Sequence, residues 1–289
     1  MDERISKAWS RHGDDPEGVA GELPQLVEDV DEAAAAAGLL VHVLGEHLGR
    51  WEEGLALLAR LAERFGAQDA LRRSEAALEL ASGNEDGAQA ALAACEDGAL
   101  ASNEARVLAV AAAAIAAHGR AAEAGTWLER AASLAGELAD DDAAVRAVAI
   151  TGNNLAVALE EKPERAGEDD ALLRASAATA RTFWERAGTW MHVERAEYRL
   201  AKTHLALGDA ARALSHARAC LSICAANDAD PLELVFGWEV AALAAAAKGD
   251  REGATIALGT IDALMPQIAE GDRGWVSAEV DKLRAALGD

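Results

Sequence analysis

A turn signal centred on glycine recurs along the whole chain and constrains its fold more than any other feature. Copies are centred on Gly13, Gly49, Gly83, Gly119, Gly208 and Gly249, and Lys162-Pro163-Glu164 holds the equivalent place without a glycine. With position 163 counted as the centre of that copy, the successive gaps are 36, 34, 36, 44, 45 and 41 residues. Periods of this length are typical of two-helix repeats. The chain is therefore predicted to fold as a series of helical hairpins.

Small residues stand at fixed distances from these glycines. Seven residues before the turn lie Ala76, Ala112, Ala201 and Ala242, with His42 as the exception, and five residues after it lie Gly54, Ala88, Ala124, Ala213 and Ala254. Two helix axes approach to about 8 Å only where the side chains between them are small. The glycine itself suits the positive φ of a helix C-cap. Both features predict closely packed hairpins.

Composition agrees with an all-α chain. Hydrophobic residues make up 51% of the sequence but aromatic residues only 4%, and 74 of the 289 residues are alanine. Alanine is the best helix former and a poor strand former. The fold class predicted from the sequence is therefore all-α, arranged as an α-solenoid.

The repeat pattern resembles the tetratricopeptide repeat (TPR) family. The best copy runs from Arg199 to Asp209 and continues with Ala213, Ala217 and Cys220, and a second copy surrounds Gly49. Asn153-Asn154-Leu155-Ala156 is similar to the Asn-Asn-Leu step of the longer, kinesin-light-chain-like type of repeat. The resemblance implies a single domain over residues 1–289, with about six or seven hairpins. Residues 272–289 are expected to form a terminal polar helix that caps the last hairpin.

Charge limits the class of partner. The chain has 50 acidic and 27 basic residues, a net charge of −23 and a pI of about 4.6. Nucleic acids and anionic lipid surfaces attract proteins with a cationic face. We therefore expect a partner that is neither a nucleic acid nor a membrane.

The cysteine content and the first residues indicate a cellular location. Cys95, Cys220 and Cys224 are too few for a disulfide framework. The start, Met1-Asp2-Glu3-Arg4, lacks the cationic and apolar segments of a signal peptide. The expected location is the cytoplasm.

Motifs for catalysis are not found in the sequence. We find no nucleophile elbow, no glycine-rich phosphate loop and no His-Glu-x-x-His helix. Acidic pairs such as Glu160-Glu161 and Asp169-Asp170 are consecutive, so on a helix their side chains point about 100° apart. The chain is expected to be non-catalytic and to need no cofactor.

One pattern has the spacing of metal ligands. His216, Cys220 and Cys224 follow one another at intervals of four, which places them on one stripe of a helix. Imidazole and thiolate ligands suit Cu(I) or Zn. Cys220, however, stands in a repeat position filled elsewhere by a small buried residue, which favours packing and no bound metal. His42 and His47, five residues apart, do not share a face of an α-helix.

A basic stripe is the main candidate for ligand binding. Arg195, Arg199 and Lys202 recur at intervals of four and three on a predicted first helix, with Tyr198 beside them. Such spacing places the cations on one face. In TPR arrays, first helices line the concave groove. An alternative is that the cations form intramolecular pairs with Glu194, Glu197 or a neighbouring helix.

The TPR resemblance suggests what the stripe would hold. Some chaperone-binding TPR domains bind a peptide's terminal carboxylate with two basic residues and an asparagine from the previous repeat. Arg195, Arg199 and Asn154, which has Asn153 beside it, match that part. The remaining two positions would fall on Ala109 and Ala113, so half of the set is missing.

The function predicted from the sequence is a protein–protein interaction module. A preformed concave groove would bind a peptide or protein that carries an anionic group, such as a carboxylate. The alternative is a signalling or regulatory receptor for a small peptide or metabolite, which would need a closed pocket.

Overall fold

Helices account for all regular structure in the part of the chain that the structure describes. The computed structural model of the chain describes residues 3–288. Its α-helices are α1 (Glu3–Arg11), α2 (Pro16–Glu22), α3 (Val30–Leu40), α4 (Trp51–Phe65), α5 (Asp69–Ser82), α6 (Glu85–Ala93), α7 (Leu100–Ala116), α8 (Ala121–Gly136), α9 (Ala143–Glu161), α10 (Gly167–Ala187), α11 (Trp190–Ala206), α12 (Ala210–Ala226), α13 (Pro231–Ala247), α14 (Arg251–Leu264) and α15 (Glu270–Leu287). A π-helical segment, Val41–His47, continues α3, and short 3-10 turns cover Leu23–Gln25 and Met265–Gln267.

The predicted glycine turns separate consecutive helices. Gly83, Gly119, Gly208 and Gly249 all have φ between 74° and 90°, and each lies between two helices that pack against each other. A glycine adopts this left-handed conformation without the steric cost that a side chain would add. The copy at Pro163 joins α9 to α10 without a left-handed residue. The prediction of helical hairpins is confirmed.

Acidic and amide side chains begin many of the helices. Asp142 accepts a hydrogen bond from the Ala144 backbone N–H at 2.8 Å, and Asp209 accepts one from the Arg212 N–H at 3.1 Å. The first backbone N–H groups of a helix have no partner within the helix, so such caps satisfy them. The sequence therefore sets the start of these helices as well as their ends.

The small residues of the repeat are buried where helices meet. Ala76, Ala112, Ala201 and Ala242 have no exposed surface. A close approach of two backbones occurs between α9 and α10, where a Cβ placed on Gly152 would lie 2.8 Å from the backbone oxygen of Ser176. These contacts confirm that small side chains allow the helices to pack closely.

The first helices of the hairpins form one continuous layer. Helix α5 packs on α7, α7 on α9, α9 on α11 and α11 on α13, whereas among the second helices α8 packs on α10. Helix α15 packs against α13, as predicted for the terminal helix, although it begins two residues earlier than expected.

The segment Val41–His47 departs from the regular helix expected there. The Leu48 backbone N–H donates to the Val43 carbonyl at 3.1 Å, five residues back. The carbonyl of Gly45 accepts hydrogen bonds from the side chains of Trp51 and His118. Such π-helical turns are rare and occur often at functional sites.

None of the helices in residues 3–288 combines the length and hydrophobicity needed to cross a lipid bilayer.

Candidate ligand-binding groove

The two arginines of the predicted stripe form ion pairs with neighbouring first helices. Arg195 on α11 donates from both Nε and Nη2 to the Glu233 carboxylate on α13. Arg199 donates from Nη1 to Oε2 of Glu160 on α9, at 2.7 Å. Each guanidinium therefore already holds a carboxylate of the chain itself.

Lys202 and Tyr198 complete the same network. The Lys202 ammonium lies 3.8 Å from a carboxylate oxygen of Glu160 and 3.8 Å from one of Glu239. The Tyr198 hydroxyl donates to Glu239 at 2.8 Å, and burial raises the pKa of this hydroxyl. Three glutamates therefore balance three cations.

The basic stripe that the sequence suggests as a ligand site is paired within the chain. Arg195, Arg199 and Lys202 are paired with neighbouring helices, which was the alternative interpretation of the sequence. The partners are not Glu194 or Glu197. Carboxylates on α9 and α13 face the stripe from both sides, so the network joins three successive first helices.

The predicted His216–Cys220–Cys224 stripe is divided by the fold. The His216 ring nitrogen Nδ1 lies 2.7 Å from Glu197 Oε2. Cys220 and Cys224 are fully buried, and the Cys220 thiol donates to Glu194 Oε1 at 2.8 Å. The two thiols therefore lie beside a carboxylate and not beside the histidine.

Glu194 is an ionisable group in an apolar interior. Only 1% of the residue is exposed, and its Oε2 has no hydrogen-bond partner. Burial raises the pKa of Glu194 from 4.5 to about 7, and the nearby Glu233 carboxylate adds to the shift. A hydrogen bond with Cys224, burial and the nearby Glu194 carboxylate raise the pKa of Cys220. Ionisation of Glu194 is therefore shifted from acidic pH to near-neutral pH.

A groove of about 530 Å³ is lined by first helices of the hairpins. Its lining comes from α3, α5, α7 and α9, with Trp9 and His12 at the α1 end. The repeat positions thirteen and nine residues before the turn supply three lining pairs, namely Ala70 with Ser74, Arg106 with Val110, and Ile150 with Asn154. Residues four apart on a helix share a face, so successive hairpins present equivalent stripes to the groove.

The groove combines apolar surface with the positive charge of Arg73 and Arg106 and, beside His42, the negative charge of Glu46. Val110 is 38% exposed and Ile150 is 40% exposed. Arg73 donates to the Asn103 side chain at 3.1 Å, and its nearest carboxylate oxygen, on Asp69, is 3.9 Å away. Among the described residues, no carboxylate lies within ion-pairing distance of Arg106. Burial and the nearby Arg73 lower the pKa of Arg106, whereas the nearby Asp142 carboxylate raises it. An anion bound here would relieve the repulsion between Arg73 and Arg106.

The predicted asparagines lie at this groove, apart from the α11 stripe. Asn154 lines the groove. The side-chain amide nitrogen of Asn153 donates to Asn154 Oδ1 at 3.3 Å. Arg195 and Arg199 hold the same repeat positions as Arg106 and Val110, thirteen and nine residues before their turn. The equivalence of Arg106 and Arg195 was the sequence signal that could have identified Arg106 as a candidate.

The chain was compared with models of known protein families and with curated proteins. Neither the models of known protein families nor the curated proteins include a match to this chain.

Proposed function

We propose that the chain is a non-catalytic, TPR-like interaction module that binds a partner peptide or protein in the groove over α3, α5, α7 and α9. The glycine turns, the small packing residues and the layer of first helices support the TPR-like assignment. The proposed setting is the cytoplasm, where the cysteines would remain reduced.

The observation that carries the proposal is the repeated stripe of lining residues. Three hairpins present the same two positions to one groove, so an extended or helical peptide can contact them in succession. Exposed Val110 and Ile150 would bury apolar side chains of the peptide. Arg106, for which no ion pair is found among the described residues although Asp142 lies nearby, would bind a carboxylate of the peptide.

The test is peptide binding by the full chain. A displayed library of random peptides with free carboxyl termini should yield ligands, and fluorescence anisotropy should give their affinities with and without amidation of the terminus. Loss of one charge-assisted contact costs about 1.5–3 kcal/mol, or about ten- to a hundredfold in affinity. Arg106→Gln should weaken binding of the free acid by that factor.

Arg218→Gln is the matched control, because Arg218 is an exposed arginine on helix α12. It should leave the affinity unchanged. A library without ligands, or equal losses in Arg106→Gln and Arg218→Gln, would contradict the proposal.

The receptor alternative is supported by the volume of the site, although the site is an open groove and not the closed pocket expected of such a receptor. A cavity of about 530 Å³ falls within the range of small-molecule sites, about 300–1,000 Å³. A receptor for a small peptide or metabolite would bind ligands that fill only part of the groove. The alternatives can be separated by shortening a selected peptide stepwise from the end that does not contact Arg106. A module for long peptides should lose affinity at each step, whereas a receptor for a small ligand should keep its affinity until the part bound near Arg106 is reached.

A further inference from the structure

Three histidines from two separate elements meet at the α1 end of the groove. His12 follows α1, whereas His42 and His47 belong to the π-helical segment Val41–His47. The ring centroids are 4.6 Å apart for His12 and His42, 4.7 Å for His42 and His47, and 5.3 Å for His12 and His47. One ring nitrogen from each residue lies within 4.8 Å of the other two.

The π-helical turn brings His42 and His47 together. In an α-helix of 3.6 residues per turn, side chains five residues apart point about 140° from each other. Hydrogen bonds between residues five apart instead stack such residues on adjacent turns. The expectation that His42 and His47 do not share a face is therefore wrong, and the hydrogen bond from the Leu48 N–H to Val43 shows why.

Hydrogen bonds leave the Nε2 atoms of two rings available. His12 Nδ1 contacts the Trp9 carbonyl, which can only accept, so this nitrogen carries the proton. His42 Nδ1 lies 2.6 Å from Glu46 Oε2 and donates to that carboxylate. Metal-binding histidines almost always donate their second ring nitrogen to a carbonyl or a carboxylate in this way.

We propose that His12, His42 and His47 bind one divalent transition-metal ion, with zinc as the best fit. Three imidazoles and an open fourth position form a common zinc ligand set. Tetrahedral geometry with bonds of about 2.0–2.1 Å places ligand nitrogens about 3.4 Å apart, so a small inward movement of the rings completes the site. The ion would join α1 to the π-helical segment.

Zinc titration of the chelator-treated, full-length chain tests the site. We expect one zinc ion per chain. His47→Gln should weaken binding at least about a hundredfold, since even an outer partner of a ligand contributes ten- to a hundredfold. Glu46→Gln should weaken it about ten- to a hundredfold. His192→Gln, at a histidine that stacks on Trp184 far along the chain, is the matched control and should change nothing.

Cobalt replacement identifies the ligands independently. A cobalt-bound chain should show nitrogen-ligand spectra without thiolate charge-transfer absorption. His47 is exposed, so its variant should keep the helical circular dichroism of the parent. Absence of stoichiometric binding, binding that survives His47→Gln, or a thiolate band that assigns the metal to Cys220 and Cys224 would overturn the proposal.

Discussion

Replacing Gly152 with alanine is expected to lower the free energy of unfolding by about 2 kcal/mol. A Cβ at this position would lie 2.8 Å from the Ser176 carbonyl oxygen and 3.0 Å from the Ala180 backbone nitrogen. Both contacts are with backbone atoms of α10, which cannot move aside as a side chain can. Overpacking a close contact costs about 1–3 kcal/mol or more, which outweighs the gain in helix propensity of about 1 kcal/mol.

Gly259→Ala is the matched control for this experiment. Gly259 is an exposed residue of α14, and no atom lies within 4 Å of the position its Cβ would take. The control should therefore be more stable than the parent chain by up to about 1 kcal/mol. Urea denaturation measures both variants. If Gly152→Ala matched or exceeded the stability of the parent, the close approach of α9 and α10 would be contradicted.

Replacing Glu194 with glutamine is expected to stabilise the chain by about 3 kcal/mol at pH 8 and by less than about 1 kcal/mol at pH 5. The pKa of Glu194 is about 7 in the folded chain, against an ordinary 4.5. Between these values the folded state holds a proton that the unfolded state releases. Stability is therefore lost as the pH rises through this window, by about 1.4 kcal/mol per pH unit.

The groups that face Glu194 are the Cys220 and Cys224 thiols of α12, Glu233 of α13, and Arg195. The glutamine side chain keeps an oxygen that can accept the hydrogen bond from the Cys220 thiol. Unlike the carboxyl group of Glu194, the amide group of glutamine cannot ionise. Urea denaturation from pH 5 to pH 8 gives the stability difference. Glu129→Gln, at an exposed position on α8, should show no comparable trend. A difference between Glu194→Gln and the parent that does not change with pH would refute the assignment.

Turns and packing positions could be predicted because they depend on spacing along the chain. The turn at Gly208 and the buried Ala201 seven residues before it follow from local sterics. Ion pairing of the basic stripe could not be predicted in this way. Glu160 lies 39 residues before Arg199, and Glu233 lies 38 residues after Arg195, so these contacts depend on how one hairpin stacks on the next.

The cluster of His12, His42 and His47 could not be predicted from the sequence for a different physical reason. A single changed hydrogen-bond register between Val43 and Leu48 rotates His47 onto the face of His42, and the hydrophobic pattern does not record that change. One local sign was present. His42 replaces the small residue found seven residues before the other turns, and departures from a regular pattern often mark functional positions.

The most direct test of the proposed function is to find where a bound peptide lies. A photo-crosslinking amino acid would replace Ile150 in the groove or, as a control, Ile256, which is 58% exposed on α14. Each variant would be irradiated with the tightest peptide from the library. We predict crosslinks from position 150 that excess unlabelled peptide abolishes, and none from position 256. Crosslinks from position 256 without crosslinks from position 150 would contradict binding in the groove.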